Sequence, residues 1–168
     1  MTNETIVNED HFTMGYRVMP GDPKEISELA RRSSVFSETE IEVAGELADD
    51  VISGKDTSYL FCLLRNEQGH LLGYTCYGEI PLTERRFDLY WIVVDPEAQR
   101  SGLAAALLAA TEDNVRRLGG VRLYAETSGT AAYAPARAFY LKNGFSEAGR
   151  FVDFYRDGDD KVVFCKVM

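Results

Sequence analysis

The stretch from Phe87 to Leu118 constrains this chain more than any other. Phe87 to Val94 is nearly continuously apolar and is closed by Asp95-Pro96. A strand without clean polar alternation is covered on both faces, so this one belongs in the middle of a sheet. Arg100 to Leu118 then reads as a long helix, with Leu103, Leu107, Leu108, Thr111, Val115 and Leu118 as its inward stripe. Glu112–Arg116 and Asp113–Arg117 are favourable pairs four apart on its wet side. Gly119-Gly120 ends the helix, and Val121 to Thr127 returns as a strand. Strand, helix, strand implies a right-handed crossover in a layered α/β fold.

The turn inside this unit carries chemistry. A helix N-terminus offers unpaired N–H groups and the positive end of a dipole, which suits a phosphate. Close approach requires small side chains, and Ser101, Gly102 and Ala104 supply them within Gln99 to Ala104. The competing reading is a helix start that simply packs closely on its strand, and the turn alone does not separate the two. Neither G-x-x-x-x-G-K-S/T nor G-x-G-x-x-G follows the strand.

Elsewhere the local signals are clear. Met1 to Met14 lacks periodicity and is expected to be partly disordered, and Tyr16 to Met19 reads as a first short strand. Asp22-Pro23-Lys24-Glu25 predicts a helix with Asp22 as N-cap and Ile26, Leu29 and Ala30 inward. Ser37 and Glu40 form a capping-box pattern with Phe36 and Ile41 at staple spacing, and Gly54 suits the exit. Tyr59 to Arg65 and Leu71 to Ile80 are β-rich runs joined by a hairpin at Asn66 to Gly69. A short helix from Pro135 to Asn143 is stopped by Gly144. Phe145 to Val152 and Lys161 to Met168 then pair around Asp157-Gly158.

Composition narrows the class. The 168 residues suffice for one cored domain, assigned to 15–168, with 1–14 as a separate N-terminal segment. No apolar run approaches the roughly 20 residues that span a bilayer, and the polar, acidic start has no leader pattern. The expectation is a cytoplasmic protein without a membrane partner. A net charge of −9 argues against nucleic acid and is compatible with a cationic substrate. Cys62, Cys76 and Cys165 fall in apolar runs and read as core residues; His11 and His70 lie too far apart to support a metal site.

Two blocks carry a family resemblance. Ile92-Val93-Val94-Asp95-Pro96-Glu97-Ala98-Gln99-Arg100-Ser101-Gly102-Leu103-Ala104 resembles the signature of the GNAT N-acetyltransferase superfamily. It has an apolar strand, V-x-P, then Q/R-x-x-G-x-G/A. Ala138-Phe139-Tyr140-Leu141-Lys142-Asn143-Gly144-Phe145 resembles that superfamily's Y-x-K-x-G-F block. The order of elements agrees from Tyr16 to Met168, and Glu126 to Tyr133 with Phe154 to Asp160 is similar to a bacterial branch. The resemblance implies an acyl-CoA N-acyltransferase-like mixed α/β fold: a central, twisted, mostly antiparallel sheet with helices on both faces. It implies acetyl-CoA as acyl donor, with its pantetheine arm on the backbone of Ile92, Val93 and Val94. Its pyrophosphate would take the amides of Gln99, Arg100, Ser101, Gly102, Leu103 and Ala104. The chain departs from the family in having Ala104 as the last small residue and no asparagine ahead of the tyrosine helix, where Tyr133 stands.

Transfer to an amine needs a proton acceptor for the amine and a proton donor for the departing thiolate. Tyr140 stands where the superfamily's acid tyrosine stands. Glu126, near the carboxyl end of its strand, is the chosen base, with Asp88 and a water-mediated route as alternatives. Carboxylates near their ordinary pKa of about 4 need a raised pKa or a water to serve. Arg137 and Lys142, flanking Tyr140, reach for cofactor phosphates or face solvent; Asp157-Gly158-Asp159-Asp160 reads as a turn first. The expected reaction is direct acetyl transfer to a primary amine of a small molecule or peptide, in a protein of a family that often forms homodimers. The rivals are a non-catalytic acyl-CoA-binding or sensing module and a transferase using a longer acyl-CoA.

Overall fold

The computed structural model describes residues 6–8, 12–99 and 102–168. The chain forms two compact units, Met1–Gly78 with Trp91–Thr111, and Glu79–Tyr90 with Glu112–Met168. The strand and the helix that flank the phosphate turn each contribute a segment to both.

In the first unit, β1 (Ile6–Asn8), β2 (Phe12–Gly15), β3 (Leu60–Asn66) and β4 (Leu71–Glu79) run antiparallel in that order. The β3–β4 turn closes at Asn66 to Gly69, with Gly69 at φ +83°. Helices α1 (Asp22–Ser33) and α2 (Glu38–Ser53) cover one face. Their Ile26, Leu29, Ala44 and Ala48 pack with Phe61, Leu63, Tyr74 and Cys76 of the sheet, and with Val93 of β5 (Arg86–Val94). The opposite face receives α3 (Leu103–Arg117): Thr75 and Thr111 share a buried hydroxyl hydrogen bond of 2.7 Å. A Cβ at Gly73 would press on Val94 and Leu107. Helices thus stand on both faces.

In the second unit, the first half of β5 pairs parallel with β6 (Arg122–Ser128). Next come β8 (Asp159–Val167), antiparallel to β6, and β7 (Ser146–Arg156), antiparallel to β8 and at the edge. Helix α4 (Ala134–Lys142) precedes β7. The fold is mixed α/β with a mostly antiparallel sheet.

Several local readings hold. Ser37 and Glu40 make the full capping box, Gly54 closes α2 at φ +75°, and Ile26, Leu29 and Ala30 are buried. All three cysteines are buried and free. Other readings need correction. The first strand is not Tyr16–Met19; strands stand at Ile6–Asn8 and Phe12–Gly15, because pairing with Leu63–Asn66 selects the second of them. Asp22 is not the N-cap; it begins the helix, is buried, and pairs with Arg65 from β3 while accepting from the Met19 amide at 2.8 Å. Helix α3 is described from Leu103, and Gly102 at φ +82° lies outside helical geometry; the expected start at Arg100 falls outside the described residues. Leu118 is exposed, whereas Glu112 is buried with Lys166 at 2.7 Å and Arg116 at 3.3 Å. Asp113 takes Arg116, three residues on, at 2.8 Å.

Among the described residues no helix is long and apolar enough to cross a membrane. No group of metal-ligating side chains is present among them either.

Candidate active site

The turn after β5 is built from its base upward. Asp95 is buried; its amide donates to the Leu72 carbonyl (2.8 Å) and its Oδ1 accepts from the Glu97 amide (3.0 Å). Its Oδ2 meets Arg32 of α1 at 2.7 Å, a partner that no sequence spacing announces. Pro96–Ala98 forms one 3-10 turn, and Gln99 leaves it extended. Arg100 and Ser101 lie outside the described residues.

Gly102 supplies the left-handed backbone that an L side chain adopts at a cost. A Cβ there would meet no atom within 4 Å, so conformation rather than crowding calls for glycine, and the space beside the turn is open. The first helical bond runs from the Ala106 amide to the Gly102 carbonyl at 3.0 Å, leaving the amides of Leu103 and Ala104 without an intrahelical acceptor. Open space, small residues and the N-terminus of a fifteen-residue helix fit a phosphate group. Val93 and Val94 are buried and Ile92 half-buried, so their side chains serve the core and only backbone remains for a ligand.

In the second unit, Tyr140 is buried on α4 against Phe139, Phe145 and Phe164, with ring centroids 5.3 to 5.7 Å away. Burial pushes its hydroxyl pKa well above the ordinary value, so it keeps its proton through the neutral range. Arg137 turns inward along the chain: Nη1 donates to the carbonyls of Ser128 (2.7 Å) and Thr130 (2.8 Å), fixing the exit of β6. Asp159 is buried on Ser128 at 2.6 Å, and Asp160 pairs with Arg150 at 3.2 Å, so this acidic turn is committed to structure.

Asp88 and Glu126 come together. Both line one cavity of about 620 Å³ with Ile80, Thr83, Glu84, Arg86, Tyr124 and Val163. Asp88 stands opposite Tyr124 across the parallel β5–β6 pair, so Glu126 is the next residue on that face. Glu126 is bound to Lys161 of β8 at 2.6 Å. The Asp88 carboxyl is pushed up, first by burial and then by the charge of Glu126, with Lys161 pulling the other way.

Register separates these groups from Tyr140. Glu126 faces Val163 across β6–β8, on the side of the cavity, while Ala125 faces Phe164, the residue against which Tyr140 packs. The candidate acid and candidate bases therefore serve opposite faces of one sheet. Lys161 and the Phe154 ring above it are additions that the sequence did not announce, because a bulge in β7 brings them together.

A model of the acetyltransferase (GNAT) family matches residues 24–145. A Desulfovibrio desulfuricans protein assigned to that family is 39% identical, with a TM-score of 0.89 over 93% of this chain and 98% of that one. The ribosomal-protein-alanine N-acetyltransferase of Escherichia coli is 23% identical, with a TM-score of 0.72 over 93% of each chain. An N-acetyltransferase of Thermoplasma acidophilum, solved in complex with coenzyme A, is 20% identical, with a TM-score of 0.69 over 92% of this chain and 99% of that one. No protein of curated function matches the chain by sequence. With its signature turn, its tyrosine helix and a family match over most of its length, the chain belongs to the GNAT family of acetyltransferases.

Proposed function

We propose that this protein is an acetyl-CoA-dependent N-acetyltransferase that moves the acetyl group directly onto a primary amine of a small molecule or peptide. The observation that carries the reading is the β5–α3 turn, where left-handed Gly102 leads into the N-terminus of a fifteen-residue helix beside open space. In this reading the backbone of Ile92–Val94 holds the pantetheine arm and the amides of Gln99–Ala104 hold the pyrophosphate. The remaining guanidinium donors of Arg137 add a phosphate contact. Bound acetyl-CoA supplies a thioester carbonyl as electrophile.

The chain's own residues then handle protons. Tyr140, held protonated by its aromatic surroundings, donates to the departing thiolate. The acceptor ammonium loses its proton within the Asp88–Glu126 pair, whose cavity has more carboxylates than cations and room for a small amine. In direct transfer the amine adds to the thioester carbonyl and the thiolate then leaves the tetrahedral centre, so base and acid act on different atoms and need not adjoin one another.

An acceptor screen tests this. The whole protein is mixed with acetyl-CoA and a panel of primary amines and peptides, and free thiol is followed with mass analysis of the product. Acceptor-dependent thiol release with an acetylated amine is expected. Tight CoA binding without transfer to any amine would replace the enzyme with a binding module, and faster turnover of propionyl- or succinyl-CoA would replace the donor.

A further inference from the structure

Lys161 is held between a carboxylate and a ring. Its Nζ lies 2.6 Å from Glu126 and 4.7 Å from the centroid of Phe154, and its side chain is only 18% exposed. Phe154 reaches this place because β7 leaves its ladder. Phe151 pairs with Lys161 and Arg156 with Asp159, so residues 152–155 bulge opposite Asp160 alone. The bulge is pinned at Asp153, which takes φ +52°. Its amide donates to Asp160 (3.0 Å), and its carboxylate accepts from the Gly158 amide (2.7 Å). An ammonium ion between a carboxylate and an aromatic face is attracted from both sides.

The carboxylate so engaged shares its cavity with Asp88, which makes no ion pair among the described residues. We propose that Lys161 is a positioning residue that divides the work of the two carboxylates. It engages Glu126 in an ion pair and leaves Asp88 to exchange a proton with the acceptor amine, while Phe154 covers the ammonium. This rests on the reading of the protein as an amine acetyltransferase. In the reaction the C–N bond forms as the C–S bond breaks. Of the two protons lost by the ammonium nitrogen, one is matched by the proton that reaches the thiol, and the other passes through Asp88 to water.

The charged and titratable groups facing Asp88 are Glu84 and Arg86 from its own side of the cavity, Tyr124 and Glu126 from β6, and Lys161 from β8. Arg86 is engaged with the Glu84 carbonyl. Among these groups Glu126 and Lys161 act on the Asp88 proton in opposite senses. Burial and the Glu126 charge hold it on, and Lys161 draws it off.

The test is a carboxyl-carbon NMR titration of the whole protein, paired with the pH profile of kcat/KM once an acceptor is in hand. Lys161→Met moves the Asp88 midpoint and the acidic limb to higher pH, Glu126→Gln moves both to lower pH, and Lys161→Arg stays near wild type. Phe154→Ala shifts them in the same sense as Lys161→Met, by less, and carries the test should Lys161→Met not fold. Asp88→Asn loses about 10²-fold in kcat and the acidic limb with it. Equal losses at every pH with unmoved midpoints in the Lys161 and Phe154 variants would reduce the clamp to a structural tie. An acidic limb that survives in Asp88→Asn would give the base role to another group. Should no acceptor be found, the transferase reading fails, while the NMR titration still decides whether Lys161 sets the Asp88 midpoint.

Discussion

The turn after β5 and the cavity between Asp88 and Glu126 are built from different materials. The turn is backbone: a left-handed glycine, amides that a helix start leaves free, and small side chains that stay out of the way. The cavity is side chains: carboxylates, an arginine and a tyrosine, with Lys161 bound to one of the carboxylates. A backbone site can recognise the same diphosphate in many sequences, because it asks only for glycine and small neighbours. A side-chain site changes with every substitution. In the proposed function the first kind reads out the donor, and the second is where an acceptor is chosen.

Substitutions can break or sharpen this contrast. Largest is Tyr140→Phe, which removes the proton donor and is expected to lower kcat about 10²-fold with both KM values little changed. Its sign in pH is fixed: an acid is needed protonated, so activity falls as pH rises through its pKa. Burial moves that fall to higher pH than for an ordinary tyrosine. The wild-type profile should therefore show no tyrosine-linked fall near the ordinary pKa of about 10, and an unchanged kcat in the variant would remove Tyr140 from the chemistry.

Next is Gly102→Val. Forcing a β-branched residue to φ +82° costs about 1–2 kcal/mol, a roughly tenfold rise in KM for acetyl-CoA. KM for the acceptor should stay put; a change in it instead would dissolve the contrast between the two regions. Smaller is Glu84→Gln at the cavity wall, expected to raise KM for a cationic acceptor about threefold, more at low salt, without touching the donor.

Smallest is Tyr74→Phe, away from both regions. The Tyr74 hydroxyl is fully buried with no hydrogen-bond partner among the described residues, so its removal should leave stability unchanged or raise it by up to about 1 kcal/mol in urea unfolding. A large loss would mean that the hydroxyl is satisfied after all.

What was legible in the sequence follows the same division. The capping box of α2 and the glycine ends of α2 and α3 were readable, because each is decided within a few residues. The turn at Gly102 stood out for the same reason, since its glycine and small neighbours are local features. The misplaced first strand, the buried Asp22–Arg65 pair and the buried Glu112–Lys166 pair all depend on partners 40 or more residues away. Local patterning carries no trace of such partners, and a charged residue at a helix surface position looks solvated until its neighbour is known. The cavity suffered likewise. Glu126 and Asp88 were visible as candidates, but Lys161 joins them through strand register and Phe154 through a four-residue bulge.

Direct acetyl transfer is the centre of this account, and single-turnover mixing of the protein with acetyl-labelled acetyl-CoA and its acceptor tests it most plainly. All label should pass to the amine as thiol is released, with none retained on the protein. Stable label on the chain would contradict direct attack, and label left wholly on CoA in the presence of every amine would contradict transfer itself.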